Sequence, residues 1–370
     1  MRVVIDLRAA HPGLTGIGRY AVNLCLSLET VRGPFTVLAI TTQAGKEYMK
    51  GMVGSAIHVV PSGDPKWDDL GLPDLLASLG ADVYHSPLFI LPRINVCPSV
   101  CTIHDVIPLA RPDLTPPSFA QFFHKHVERA MQHADHVVTV SDFSRRDILR
   151  FFPTAKAKVS FIHEPVSPMF HRRSPADCQE TLMDLGLEPG FILYVGAIDR
   201  RKNLGSLLDA YASLRADGIL VPPLVIVGEP SGDGFDIRSE VIRLGISGAA
   251  KLLGRVSDSI LAYLYSSAEI FAFPSLYEGF GLPVLEAMAC GAPVLTSRTT
   301  SIPEIVGDAA LLIDPLRMED IKEGLRNLLR NPALRSSLIR KGLARSAEFN
   351  VEMQGERLLE VYQKVVKVVA

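Results

Sequence analysis

The sequence predicts two α/β domains, each a doubly wound parallel sheet, joined by a short proline-bearing linker. Three observations carry this. The chain has 370 residues, and at roughly 100–200 residues per domain that length suits two. Short apolar runs alternate with helical patterns from end to end, the order expected of βα units. Several of the runs are continuous rather than alternating, as strands of a parallel sheet covered on both faces require.

The first series of strands is read at Val3–Leu7, Phe35–Thr41, Ile57–Val60, Asp82–His85, Val100–Ile103, His136–Val140 and Val159–Ile162. The second is read at Phe191–Val195, Leu224–Val227, Lys251–Leu253, Ile270–Phe273, Val294–Thr296 and Leu311–Ile313. Between them, Glu164–Pro175 holds Pro165, Pro168 and Pro175 among polar residues, which reads as a linker. A fresh helix starts near Ala176, and all ten His lie at or before His171, so the halves also differ in composition. The domains are therefore set at 1–168 and 175–350. Residues Val351–Val368 place Met353, Leu358, Val361, Tyr362, Val365 and Val366 at helical spacing.

Composition narrows the function. Hydrophobic residues at 48% and charged residues at 21% suit packed cores and exclude a disordered chain. Lys plus Arg is 38 against 40 Asp plus Glu, a formal charge of −2, which argues against a dedicated nucleic-acid binder. The five Cys form no C-x-x-C pair, so a zinc ribbon and a thioredoxin-type site are not expected, and a reducing compartment fits. Cys97 and Cys101 read as buried small residues. The apolar run Val3–Leu7 is short and broken by Asp6, unlike a signal peptide. No run reaches the roughly 18 apolar residues of a spanning helix. The expectation is a soluble, cytoplasmic protein.

Ligands of open α/β sheets bind outside the carboxyl ends of the strands, and two such domains facing each other would form one cleft. Residues that follow strands are therefore the candidates. Leu276–Gly291 reads LYEGFGLPVLEAMACG: Glu278 lies in a glycine-rich loop with Gly279 and Gly281, Pro283 suits the first turn of a helix, and Glu286 falls early in that helix. Two carboxylates eight residues apart can then face one pocket, although surface acids on an ordinary strand–loop–helix would look the same. Tyr194–Leu204 reads YVGAIDRRKNL, where Arg200, Arg201 and Lys202 precede a helix starting near Asn203. Such cations suit a diphosphate, or form a solvated basic turn. The loop HPGLTGIGRY carries Gly13, Gly16 and Gly18 without G-x-G-x-x-G spacing, so it fits a contact to a phosphate or sugar, or a plain βα turn, better than a dinucleotide fingerprint. His104 follows Val100–Ile103 and points to the strand ends; His104 and His85 each also fit a structural role. His124, His126 and His133 are not spaced to gather on one face, and no D-x-D triplet occurs, so no metal site is expected.

Taken in order, these segments resemble the retaining glycosyltransferases of family four, which have the GT-B fold. The likeness runs through Gly16–Tyr20, Ile103–Leu109, Thr139–Ile148, Tyr194–Asn203, Leu252–Asp258, Pro274–Val294 and Ser301–Pro315, nearly the whole chain. The block around Glu278 and Glu286 matches the family's E-x7-E motif without a gap. The resemblance implies that Glu278 holds the donor sugar's hydroxyls, helped by Gly279, the backbone of Phe280 and Gly281, and Leu282. It implies that Glu286 holds the ribose, that Arg201 and Lys202 hold the diphosphate, and that Gly16, Ile17 and Gly18 approach the phosphate or sugar. His104 would sit beside the anomeric centre, and Arg255 and Val256 would meet the base. The helix at 351–370 would cross back to the N-terminal domain. Where many relatives have an Asn-Gly turn, this linker reads His163-Glu164-Pro165.

The function this implies is transfer of a sugar from a nucleotide diphosphate sugar to a hydroxyl of a saccharide or lipid-linked saccharide, with retention and without a metal. No Asp or Glu stands out as a nucleophile, so the family's front-face route is expected. GIGRY with HDVIPL looks most like bacterial mannosyltransferases of polysaccharide assembly, which points to GDP-mannose. The rivals are a GT-B sugar-nucleotide epimerase or hydrolase and a non-catalytic sugar-nucleotide binder. Residues Ser118–Met131 place Phe119, Phe122 and Phe123 beside His124, Lys125 and Arg129, which suits either a core-facing helix with a basic outer side or peripheral contact with the inner face of the cytoplasmic membrane.

Overall fold

Val3, Val4 and Ile5 are wholly buried in β1 (Arg2–Asp6), the strand around which the first sheet is built. The computed structural model describes residues 1–10, 16–61, 65–231 and 235–369. The first sheet adds β2 (Thr36–Thr41), β3 (Ala56–Val59), β4 (Val83–Ser86), β5 (Ser99–Thr102), β6 (His136–Thr139) and β7 (Val159–Phe161). Its order is β3-β2-β1-β4-β5-β6-β7. Every neighbouring pair is parallel, with Val4 opposite Leu38 on one side and Tyr84 on the other.

The second sheet holds β8 (Phe191–Val195), β9 (Leu224–Val227), β10 (Ala250–Gly254), β11 (Ala268–Phe273), β12 (Val294–Ser297) and β13 (Leu311–Ile313). Its order is β10-β9-β8-β11-β12-β13, again all parallel. Each strand read from the sequence is present, its ends moved by one or two residues at most. One smaller reading needs correction. Cys97 is only half-buried, because it lies in a bend ahead of β5 rather than in the strand.

Alternation along the second sheet divides its side chains between two cores. Phe191, Leu193, Phe271 and Phe273 pack on one face with Leu264, Val284 and Met288, from helices Asp258–Ser267 and Leu282–Ala289. Ile192, Tyr194, Ile270 and Ala272 pack on the other with Leu207, Tyr211 and Leu325, from helices Leu204–Ala216 and Met318–Arg330. Both faces are covered, which is why these strands read as continuous apolar runs.

The chain divides into two compact units: Met1–Pro165 with Phe349–Ala370, and Val166–Glu348. The second unit's first helix, Pro175–Asp184, opens on a capping box between Ser174 and Asp177. The C-terminal helix, Val351–Val369, belongs with the first unit and packs on helix Gly16–Thr30. Gly355 makes that approach possible: a Cβ there would stand 2.1 Å from the Ser27 carbonyl oxygen. Ser27 Oγ donates to Gln354 Oε1 at 2.7 Å beside it. In each sheet the strand order reverses once, between β1 and β4 and between β8 and β11, the two crevices where such sheets bind ligands.

Candidate active site

The crevice of the second sheet is built by the loops after β8 and β11. Past Gly196, the Asp199 carboxylate accepts the Lys202 amide at 2.8 Å and closes a 3-10 turn over Arg200–Lys202. Asn203 follows at φ 57, a left-handed conformation that asparagine tolerates. Its Nδ2 donates to the carbonyls of Pro274, at 3.2 Å, and Pro315, at 2.7 Å, while the Leu276 amide donates back to the Arg201 carbonyl at 2.8 Å. One asparagine thus fastens the β8 loop to the loops after β11 and β13.

That fastening brings the predicted cations onto the predicted carboxylate. Lys202 Nζ donates to Glu278 Oε1 at 2.6 Å, and Arg201 Nη1 to Glu278 Oε2 at 3.3 Å. Ser275 Oγ donates to Glu278 Oε1 at 2.6 Å. Lys202 and Glu278 are buried, and Lys202 also lies over the Phe273 ring at 4.8 Å. Burial works to raise the Glu278 carboxyl, but Lys202, Arg201 and the Ser275 hydroxyl outweigh it and hold it below the usual carboxylate range. Burial and the adjoining Arg201 charge push Lys202 down, and Glu278 restores only part of that. With Asp199 3.6 Å from Arg201, two acids face two cations, so the cluster carries no net charge.

The segment after β12 shapes the Glu278 backbone. The Glu278 amide donates to Thr300 Oγ1 at 3.2 Å, and Ser301 Oγ donates to the carbonyls of Glu278, at 2.9 Å, and Phe280, at 2.8 Å. Thr300 sits at φ 59, which costs a β-branched residue roughly 1–3 kcal/mol and is held by its surroundings. Gly279 and the buried Phe280 lead to Gly281 at φ 109, where a Cβ would meet Ile302 Cδ1 at 2.6 Å. Leu282 then opens the helix Leu282–Ala289. Glu286 is almost wholly buried on it and accepts the Tyr265 hydroxyl at 3.1 Å.

The other predicted residues belong to other elements. Arg255 and Val256 follow β10, at the edge of the second sheet, with Arg255 3.4 Å from Glu229. Gly16, Ile17 and Gly18 open helix Gly16–Thr30, while His11–Thr15, with Gly13, lie outside the described residues. His104 belongs to the first unit. Its Nε2 faces the Pro87 carbonyl at 3.1 Å, its Nδ1 lies 3.9 Å from Glu164 Oε1, and Tyr20 meets the ring edge-on at 4.6 Å. His85 is structural: Nδ1 meets the Tyr362 hydroxyl at 2.6 Å and Nε2 meets Thr102 Oγ1 at 2.9 Å, and Thr102 in turn meets Tyr20 Oη at 2.9 Å. Burial lowers His85 to about 3, so the ring is neutral.

Asp199, Asn203, Ser275, Thr300 and Ser301 were not singled out from the sequence. The signals were slight: an aspartate before three cations, and hydroxyl residues directly after β11 and β12.

The sequence pattern described as Glycosyl transferases group 1 matches residues 184–345, and that of Glycosyltransferase Family 4 matches residues 14–169. The O-antigen chain mannosyltransferase B of Escherichia coli is 35% identical over 283 residues, which cover 76% of this chain and 74% of that protein. The chain belongs to the group 1, family 4 glycosyltransferases. This glycosyltransferase is also 31% identical over 290 residues to the serotype-specific mannosyltransferase WbdA of Escherichia coli, a match covering 75% of this chain but 35% of that protein. The sucrose-phosphate synthase of Thermosynechococcus elongatus superposes with a TM-score of 0.79 at 19% identity, covering 100% of both chains. That likeness shows the fold of the glycosyltransferase, GT-B.

Proposed function

We propose that this glycosyltransferase moves mannose from GDP-mannose to a hydroxyl of a saccharide or lipid-linked saccharide, with retention, in the cytoplasmic assembly of a bacterial polysaccharide. The observation that carries the reading is the Lys202–Glu278–Arg201 cluster at the crevice of the second sheet, in a chain related to an O-antigen mannosyltransferase.

In this reading Glu278 turns to the sugar hydroxyls when the donor binds, and Arg201 and Lys202 turn to the diphosphate. Glu286 takes the ribose hydroxyls. The acceptor oxygen bonds to the anomeric carbon as the bond to the diphosphate breaks, and the diphosphate takes the acceptor's proton. Charge growing on the leaving group meets preorganised cations and the helix N-terminus after Gly281, with no metal required. His104 serves the transfer from the first unit. Gly16, Ile17 and Gly18 meet the phosphate or sugar, and Arg255 and Val256 the base.

A thermal-shift panel with GDP-, UDP-, ADP- and dTDP-sugars tests it. A selective donor at a hundredfold excess over Kd stabilises by about 2.7 kcal/mol. GDP-mannose is expected to give the largest shift. A larger shift with another nucleotide overturns the donor, and release of free nucleotide with no glycosylated product overturns the transfer.

A further inference from the structure

Glu164 is only 6% exposed, yet no hydrogen bond to its carboxylate is found among the described residues. Among the described residues it makes one ion-pair contact, with His104, whose Nδ1 lies 3.9 Å from Oε1. Buried carboxylates are costly unless paired, and partners at catalytic positions often stand loose until substrate tightens them. The location matters as well. Glu164 follows β7, His104 follows β5, and Thr139, the last residue of β6, donates to the His104 carbonyl at 3.4 Å. These residues crowd the carboxyl end of the first sheet, where ligands of such sheets bind.

The ring is held from three sides. The Pro87 oxygen can only accept, so Nε2 carries a hydrogen. Tyr20 meets the ring edge-on, and its hydroxyl is fixed through Thr102 and His85 to Tyr362. The third side is Nδ1, which faces the carboxylate. The 3.9 Å gap is longer than a hydrogen bond, of the loose kind that substrate tightens at catalytic positions.

We propose that Glu164 is a positioning residue for His104: its carboxylate faces Nδ1 and fixes the orientation of the ring for sugar transfer. The proposal rests on the reading that His104 serves the transfer. Glu164 holds the ring from the segment that follows β7.

The test uses the full chain and two readouts. Nitrogen-15 NMR reads both ring nitrogens of His104, assigned by the signals lost in His104→Ala. Turnover with GDP-mannose gives kcat and KM. Glu164→Gln should change the Nδ1 signal of His104 while Nε2 keeps its hydrogen. In that variant kcat should fall by at least about tenfold, short of the roughly hundredfold or more that a direct general acid or base contributes, with donor KM little changed. Glu164→Asp should recover part of the loss, and Glu164→Gln should add nothing in a His104→Ala background. Unchanged His104 ring signals in Glu164→Gln overturn the pairing. Changed signals with unchanged turnover leave the pair standing and overturn the role of His104 in transfer. If Glu164→Gln does not fold, Glu164→Asp carries both readouts.

Discussion

Lys202 Nζ and Glu278 Oε1 meet at 2.6 Å although 76 residues separate them in the chain. They come from loops after different strands and are both buried, so neither can turn to bulk water without moving its loop. Losing one partner strands the other. Lys202→Met is expected to lower stability by about 3–5 kcal/mol, the range for breaking a buried ion pair. Urea unfolding measures it, and a loss under 1 kcal/mol would show that the pair is solvated in solution.

Neutralising Arg201 and Lys202 together should reduce turnover by at least about a hundredfold, the scale of one lost charge-stabilising group. The unaltered enzyme should keep its rate in EDTA. If chelation abolishes turnover and Mg²⁺ or Mn²⁺ restores it, the metal-free account is wrong.

Glu286→Ala should weaken binding of the bare nucleotide by roughly 1–3 kcal/mol, since a ribose hydroxyl would lose its acceptor. Glu278→Ala should act more on turnover than on nucleotide affinity. Calorimetry separates them, and equal nucleotide affinity in Glu286→Ala removes the ribose assignment.

Acid should destabilise the first unit. Burial lowers His85 to about 3 and His136 to about 4. In the unfolded chain both rings take a proton near pH 6.5. The unfolded state therefore binds more protons between those limits. The contribution of the neutral rings is complete above about pH 6.5 and is lost as pH falls toward 4 and 3. In urea unfolding from pH 4 to 7, His85→Gln should show a shallower acid slope. Parallel slopes would remove His85 as a cause.

Phe119 and Phe122 stand 44% and 41% exposed on helix Pro117–His133, while Phe123, Val127 and Ala130 face the core. Exposed Lys125 and His124 lie beside them. If this face meets a lipid-linked acceptor's membrane, binding to anionic vesicles should weaken with salt and fall in Phe122→Ser without loss of folding. Equal recovery in the soluble fraction with and without vesicles at low salt would leave a soluble acceptor.

The strands were legible because each buries both faces, so Ile192 and Leu193, on opposite faces of the second sheet, are both apolar. The charged residues were legible too, because Glu278 stands in a glycine-rich loop and Arg201 and Lys202 in a basic turn after a strand. Their meeting was not, since it depends on Asn203 tying three loops across 112 residues of sequence. Thr300 and Ser301 act through the spatial neighbourhood of β11 and β12, and hydroxyl residues look alike wherever they occur. Glu164 was hidden for the opposite reason. A glutamate before a proline in a polar linker has the look of a solvated residue, and only the fold shows it turned inward.

The first unit takes residues from both sides of the second. On the ribosome, residues 166–348 are made whole and can fold while the N-terminal sheet still lacks its last helix. Until Gly355 and Tyr362 emerge, the face of helix Gly16–Thr30 that packs on Val351–Val369 is open, and His85 lacks one hydrogen-bond partner. The later-encoded unit is thus ready to mature first, and helix Val351–Val369 acts as a closing clasp whose arrival completes the surroundings of Tyr20, the residue that meets His104 edge-on.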